Sequence, residues 1–238
     1  MRSISAAAGC DDHGLARAER GAETWALVAV AGIVAYLMID LALVFLRPHL
    51  SVLHNAESDY GSKGRYAWLM DANFVLRCLL SLAVVRALVL SVTVTNRLRV
   101  AIGCLVVWSV GSGLLAFFPD DPVGTVTHGA GRVHIVLAAV AFIGVVLGTR
   151  VASRALRAAP AWRPISATLT LLSWGALVPV LLLGRAHLRP HSLGGLYEKL
   201  FLAVELAWLL AVAAWIAAGR AVDTAAEPRA AEAALDPS

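Results

Sequence analysis

The residues that could do chemistry fall into three stretches far apart in a chain of 238 residues. The densest, Phe117 to His134, sets Asp120, Asp121, His128 and His134 among two threonines, three glycines and two prolines. The prolines keep it from forming one helix. His49, His54, Glu57 and Asp59 make the second stretch, and His187, His191 and Glu198 the third. Neutral imidazoles with carboxylates suit zinc or another first-row ion. Partly desolvated carboxyls and imidazoles suit proton transfer. Asp120, His134 and Glu198 are the candidate catalytic set, with Asp59, Asp121 and His128 as secondary candidates. If a metal is held, His128, His134 and Asp120 are its candidate ligands from one loop, with His187 and His191 available from another. No tight spacing such as H-E-x-x-H occurs, and Pro190 separates His187 from His191.

What must position these residues is a set of membrane-spanning helices. Apolar residues make up 59% of the chain and charged ones 15%, against about 25% charged in a soluble domain. Mean hydropathy is +0.75. The apolar residues form runs near the ~20 residues a helix needs to cross ~30 Å of hydrocarbon. No alternating pattern of the β-barrel kind repeats along the chain. The expected fold class is all-α, an integral membrane six-helix bundle. Its spans are Thr24 to Leu46, Ala67 to Leu90, Leu98 to Phe118, Val133 to Thr149, Ile165 to Leu183 and Leu200 to Ala218. Residues 1–23 form a polar segment, 24–218 the transmembrane domain, and 219–238 a solvated tail. The first 23 residues lack the short apolar core of a cleavable signal, so the first span serves as its own insertion signal. Cys10, Cys78 and Cys104 give no disulfide framework.

Twelve of the 20 Lys and Arg residues lie on the side that carries both termini, seven lie on the other, and Arg77 is inside a span. The excess places both termini in the cytoplasm, in a multi-pass protein of the cell membrane. All three chemistry-bearing loops then meet at the extracytoplasmic face. The net charge of +4 does not point to nucleic acid, because the arginines flank hydrophobic spans and form no patch with interleaved aromatics.

Ionisable residues inside spans are costly and need a partner or a wet cavity. On these boundaries Asp40, Asp71 and Glu205 lie within ~10 Å of the outer surface. Arg77 is deeper, shares a helical face with Asn73, and sits on a different face from Asp71. Its expected partner is an acid on another helix, Asp40 or Glu205. Gly144-x-x-x-Gly148 and Ser109-x-x-x-Gly113 permit close helix approach, and Pro179 predicts a kink.

The motif Phe118-Pro119-Asp120-Asp121, followed by either Thr125-Val126-Thr127-His128 or Thr127-His128-Gly129-Ala130-Gly131-Arg132-Val133-His134, resembles the signature of the prokaryotic membrane family called domain of unknown function 998, the second phasing placing His134 at the family's histidine. Ser58-Asp59-Tyr60-Gly61-Ser62-Lys63-Gly64-Arg65-Tyr66-Ala67-Trp68-Leu69-Met70 and Gly194-Gly195-Leu196-Tyr197-Glu198-Lys199-Leu200 are similar to it as well. Relatives often carry Arg where this chain has Lys199, which keeps the charge and loses the bidentate fork. The resemblance covers roughly residues 24 to 218. It implies a small polytopic bundle with a polar cluster on its outer face and no defined activity.

Three readings stand side by side. In the first, the outer cluster contacts membrane lipid or another small amphiphilic ligand. In the second, the protein is a membrane enzyme acting on a lipid or isoprenoid, either through zinc-activated water or through metal-free acid/base chemistry. In the third the role is structural or accessory: Asp120 and Thr127 cap helix ends, and the Arg77 pair locks spans together. Haem is disfavoured because the histidines sit at span ends. Transport is disfavoured because six spans show no inverted repeat.

Overall fold

The computed structural model describes residues 5–121, 125–186 and 192–221, with side chains from residue 17 onward except Ala18. Seven α-helices follow one another: α1 (Ser5–Leu46), α2 (Ala67–Ser91), α3 (Asn96–Leu114), α4 (Gly129–Leu156), α5 (Arg163–Gly175), α6 (Leu177–Ala186) and α7 (Gly194–Ala217). A 3-10 turn, Ser58–Gly61, sits in the α1–α2 connection. Six helices are long and apolar enough to cross a membrane: Glu19–Leu46, Ala67–Ser91, Asn96–Phe117, Gly129–Leu156, Pro160–Ala186 and Gly194–Ala217. The segment 222–238, expected to be a solvated tail, lies outside the described residues.

Each helix buries a stripe spaced three and four residues apart, as helical periodicity requires. On α1 the stripe is Ala22, Ala26, Ala29, Ile33, Tyr36 and Leu43, and it ends on Arg47 just past the helix. A side chain on Gly32 would bring its Cβ to 2.8 Å from Leu80 Cβ, so α1 and α2 pack closely there. On α2 the stripe Met70, Asn73, Phe74, Arg77, Ser81, Val84 and Leu88 carries a cation at its centre. Gly144 and Gly148 of α4 face Cys104 and Leu105 of α3, where a Cβ would come within 2.9 Å of Cys104 O and of Leu105 Cγ respectively. The small-residue pair thus lets α3 and α4 meet backbone to backbone. Indole donors are satisfied across helices: Trp108 Nε1 donates to Ser81 Oγ (3.1 Å) and Trp208 Nε1 to Ser153 Oγ (3.0 Å).

The span from Pro160 to Ala186 is broken, as Pro179 predicts. Proline has no N–H to give the carbonyl four residues back, which is Gly175. One turn before Pro179, α5 stops at Gly175 and α6 begins at Leu177. Five of the six spans start earlier than the hydropathy boundaries, among them α4 at Gly129 instead of Val133 and α7 at Gly194 instead of Leu200. Glycine-rich first turns lower local hydropathy without stopping a helix that tertiary packing supports. The shift corrects one depth. Glu205 lies eleven residues into α7, about 16 Å from the start of that helix.

Candidate functional site

The site is assembled around Arg77, a guanidinium only 2% exposed. A helical side chain leans towards its helix N-terminus, and the N-terminus of α2 is at the end that carries the α1–α2 connection. Arg77 therefore reaches up towards that connection, which folds down to meet it. Glu57, also 2% exposed, places Oε1 3.7 Å from Arg77 Nη1. The Tyr36 hydroxyl joins the two, donating to Glu57 Oε1 and accepting from Arg77 Nη1 (3.3 Å). The rings of Trp108, Phe74 and Tyr36 lie 5.0, 5.1 and 5.9 Å from the guanidinium carbon, each a favourable contact for a desolvated cation. The expectation that Arg77 pairs with Asp40 or Glu205 is corrected: its partner is Glu57. Asp40 is half-buried on α1. Glu205 is 1% exposed, with neither carboxylate oxygen hydrogen-bonded; the hydroxyl of Thr149, beside it, donates to Val145 O.

A connection that enters a bundle needs its backbone groups satisfied. Arg47 does this at one end, donating to the carbonyls of Tyr60, Ser62 (3.0 Å) and Lys63 (3.2 Å). At the other end α7 grips it: Leu196 N donates to Leu53 O (3.0 Å) and Lys199 Nζ to Asn55 O (2.8 Å). Gly195 is required there, because any Cβ would overlap the backbone of Asn55. Asp59 Oδ2 accepts from Ala56 N (2.8 Å) and Asn55 Nδ2 (3.0 Å), closing the turn. Burial pushes the Asp59 carboxyl above the ordinary carboxylate range, against the opposing effect of those two hydrogen bonds. Asp59 is therefore a fold-holding residue of this segment. Asp71 is half-buried near Gly61.

Beneath this segment lies a cavity of about 490 Å³, within the range of small-molecule sites. Asp120, His134 and Glu198, the three residues singled out as catalytic candidates, all line it, together with Arg77 and Ser58. Ser58 Oγ donates to Asp120 Oδ2 (3.0 Å), and Asp120 Oδ1 accepts from Asp121 N (2.9 Å). His134, 3% exposed, has Nδ1 2.7 Å from Phe118 O and its ring edge-on to Phe74 at 6.0 Å. The stretch Phe118 to His134 thus closes on itself through that bond. Asp121 has a different task. Its Oδ2 accepts from His128 N (2.8 Å) at the start of α4 and lies where a side chain on Gly131 would collide. It caps the positive end of α4, the role the structural reading assigned to Asp120. His128 is exposed.

The rest of the lining is apolar. Ile135, Ala138, Ala139, Phe142, Ile143, Val146 and Leu147 form one stripe of α4, opposite the face that packs on α3. Val180, Leu183 and Gly184 of the broken half-helix α6 face it. From His134 to Leu147 is thirteen residues, about 20 Å along the helix. Ile135, Ile143 and Leu147 line the cavity and are still 48%, 61% and 49% exposed. The cavity is therefore open sideways along α4.

Asp40, Asp59, Asp71, Asp121, His128 and Glu205 are not in the lining. The proposed ligand trio His128, His134 and Asp120 is not gathered, and among the described residues no three His, Cys, Asp or Glu side chains come together as a metal site would need. His187 and His191 lie outside the described residues. Sequence reasoning missed Tyr36, Arg47 and Glu57 as parts of the assembly. Tyr36 and Arg47 could have been found by extending the three-four spacing of α1.

Fold and cavity define a class: all-α proteins of multi-pass membrane character with a cavity at one end of the bundle. Within it the chain belongs to the family described as "Protein of unknown function (DUF998)", whose model matches residues 13–215. Comparisons with the curated proteins and with the solved structures found no match.

Proposed function

We propose that the protein binds a single-chain amphiphile, head group against Arg77, Asp120, His134 and Glu198, and chain along α4 and α6. The observation that carries this is the polarity of this cavity, charged at one end and apolar for about 20 Å beyond, with an opening on its long side. A lipid-like molecule matches that polarity, whereas a fully polar solute would leave the α4 stripe without a partner. The charged end faces the extracytoplasmic side of the cell membrane. Arginines 97, 99, 150, 154, 157, 163 and 220 at the opposite end of the bundle support that orientation.

Gly184 supplies the test. It lines the cavity and a Cβ there meets nothing within 4 Å, so the side chain of Gly184→Leu starts in open space. Equilibrium binding of radiolabelled dodecyl amphiphiles to protein in zwitterionic lipid nanodiscs is expected to weaken about tenfold or more in Gly184→Leu, with the thermal unfolding temperature unchanged. Equal binding by variant and wild type refutes the reading.

A second reading, acid/base chemistry on the bound head group, is favoured by one observation: Asp120, His134 and Glu198 share the cavity with the buried cation. It requires turnover of a long-chain ester or amide by the wild type that His134→Ala abolishes without loss of binding.

A further inference from the structure

Resting on the amphiphile reading, we infer that the head group the cavity takes is a hydrogen-bond-donating cation, a primary ammonium on a long chain. The alternative suggested by a buried arginine is an anion such as a phosphate. The surroundings of Arg77 argue against it. Its charge is already met by Glu57 at 3.7 Å and by the Tyr36 hydroxyl at 3.3 Å, inside a box of three aromatic rings. An anion placed there would also have to sit beside the Glu57 carboxylate.

The polar groups left facing the cavity are acceptors. Phe118 O can only accept, so His134 Nδ1 carries the ring proton in their 2.7 Å bond. In the neutral imidazole this leaves Nε2 as a lone pair. Asp120 is held by two neutral donors, Ser58 Oγ and Asp121 N, and by no cation among the described residues. Glu198 lines the cavity and accepts no hydrogen bond from the described residues. Lys199, next along the chain, is turned to Asn55 O and lies over the Tyr60 ring at 5.2 Å, outside the lining. Among the described residues that line the cavity, two acidic side chains thus accompany one arginine that already has a carboxylate partner. An ammonium brings three donors to an imidazole nitrogen and two carboxyl groups. A phosphate brings acceptors to acceptors.

The experiment compares three probes of one chain length, dodecylammonium, dodecanol and dodecyl phosphate, in zwitterionic nanodiscs with empty nanodiscs as background. Dodecylammonium is expected to bind at least about tenfold more tightly than dodecyl phosphate, with dodecanol between them. Glu198→Gln and Asp120→Asn, each checked for an unchanged unfolding temperature, are expected to weaken dodecylammonium about tenfold or more and to narrow the gap to dodecyl phosphate. Dodecyl phosphate binding as tightly as dodecylammonium in the wild type overturns the inference and leaves the amphiphile reading standing. Dodecylammonium binding untouched by both carboxylate variants overturns it too. Failure of all three probes to exceed the empty nanodisc, or binding of all three by Gly184→Leu as tightly as by the wild type, removes the amphiphile reading as well.

Discussion

Arg77 shows what a single charge demands of a bundle. Desolvating a guanidinium costs several kcal/mol, and Glu57, Tyr36 and three rings offset that cost only as a set. Replacing one partner should therefore do more harm than replacing both. Arg77→Met is expected to lower the accumulated protein and its unfolding temperature sharply, a loss of about 3–5 kcal/mol, because Glu57 is left buried without a cation. Arg77→Met combined with Glu57→Gln should recover most of that loss, and thermal unfolding of the two variants in detergent tests it. A double variant as unstable as the single one would show that the pair is not the source of the effect. Asp59 offers a pH test. Its carboxyl is pushed above the carboxylate range, so the folded state favours the protonated form. The contribution is fully present below the unfolded carboxylate range and is lost as pH rises through the higher folded value. Asp59→Asn keeps an acceptor for Ala56 N and has no such titration. The stability of the wild type relative to the variant is expected to fall over that rise in pH, as a series of melts at increasing pH would reveal. A constant difference would contradict the assignment. These residue-level pairings were the least legible part of the sequence. Periodicity shows that Arg77 is on a buried face, but it carries no depth for a loop acid, and Glu57 reaches Arg77 only because the connection folds into the bundle.

Helices were legible to the extent that hydropathy records them. The six spans follow from runs of apolar residues, and the close α3–α4 contact follows from Gly144 and Gly148. The early starts of α4 and α7 did not, because Gly129, Gly131, Gly194 and Gly195 read as loop. Two of those glycines are there for contact: Gly131 admits the Asp121 carboxylate and Gly195 admits the backbone of Asn55. The same reading explains why the three motif stretches lie together. Gly195 and Lys199 of one hold Asn55 beside the second, whose Ser58 reaches Asp120 of the third. The break between α5 and α6 is the element-scale feature to test. Pro179→Ala restores the N–H that Gly175 O lacks and should join α5 and α6 into one helix. Spin labels on α4 and α6, read by pulsed resonance distances, are expected to move relative to wild type, and dodecyl amphiphile binding to change with them. An unchanged distance would mean that packing, and not the proline, sets the break.

At the scale of the whole molecule, an even number of crossings puts the two ends of the helical domain on one side. Reporter fusions at residue 125 and at residue 158 are expected to report extracytoplasmic and cytoplasmic positions respectively. The reverse result would turn the charged end of the cavity to the cytoplasm. The side-on opening along α4 also bears on how strong binding has to be. An amphiphile reaching the cavity from between lipids is drawn from a layer in which it has already concentrated, by about fourfold for each methylene taken out of water. Occupancy then follows the mole fraction of that amphiphile in its leaflet, with the ordinary lipids as competitors at molar levels. By mass action a site that looks feeble against aqueous ligand is full once its molecule reaches a small percentage of the surrounding lipid. On the amphiphile reading proposed above, such a cavity would respond to the composition of the surrounding membrane more than to the free concentration in water.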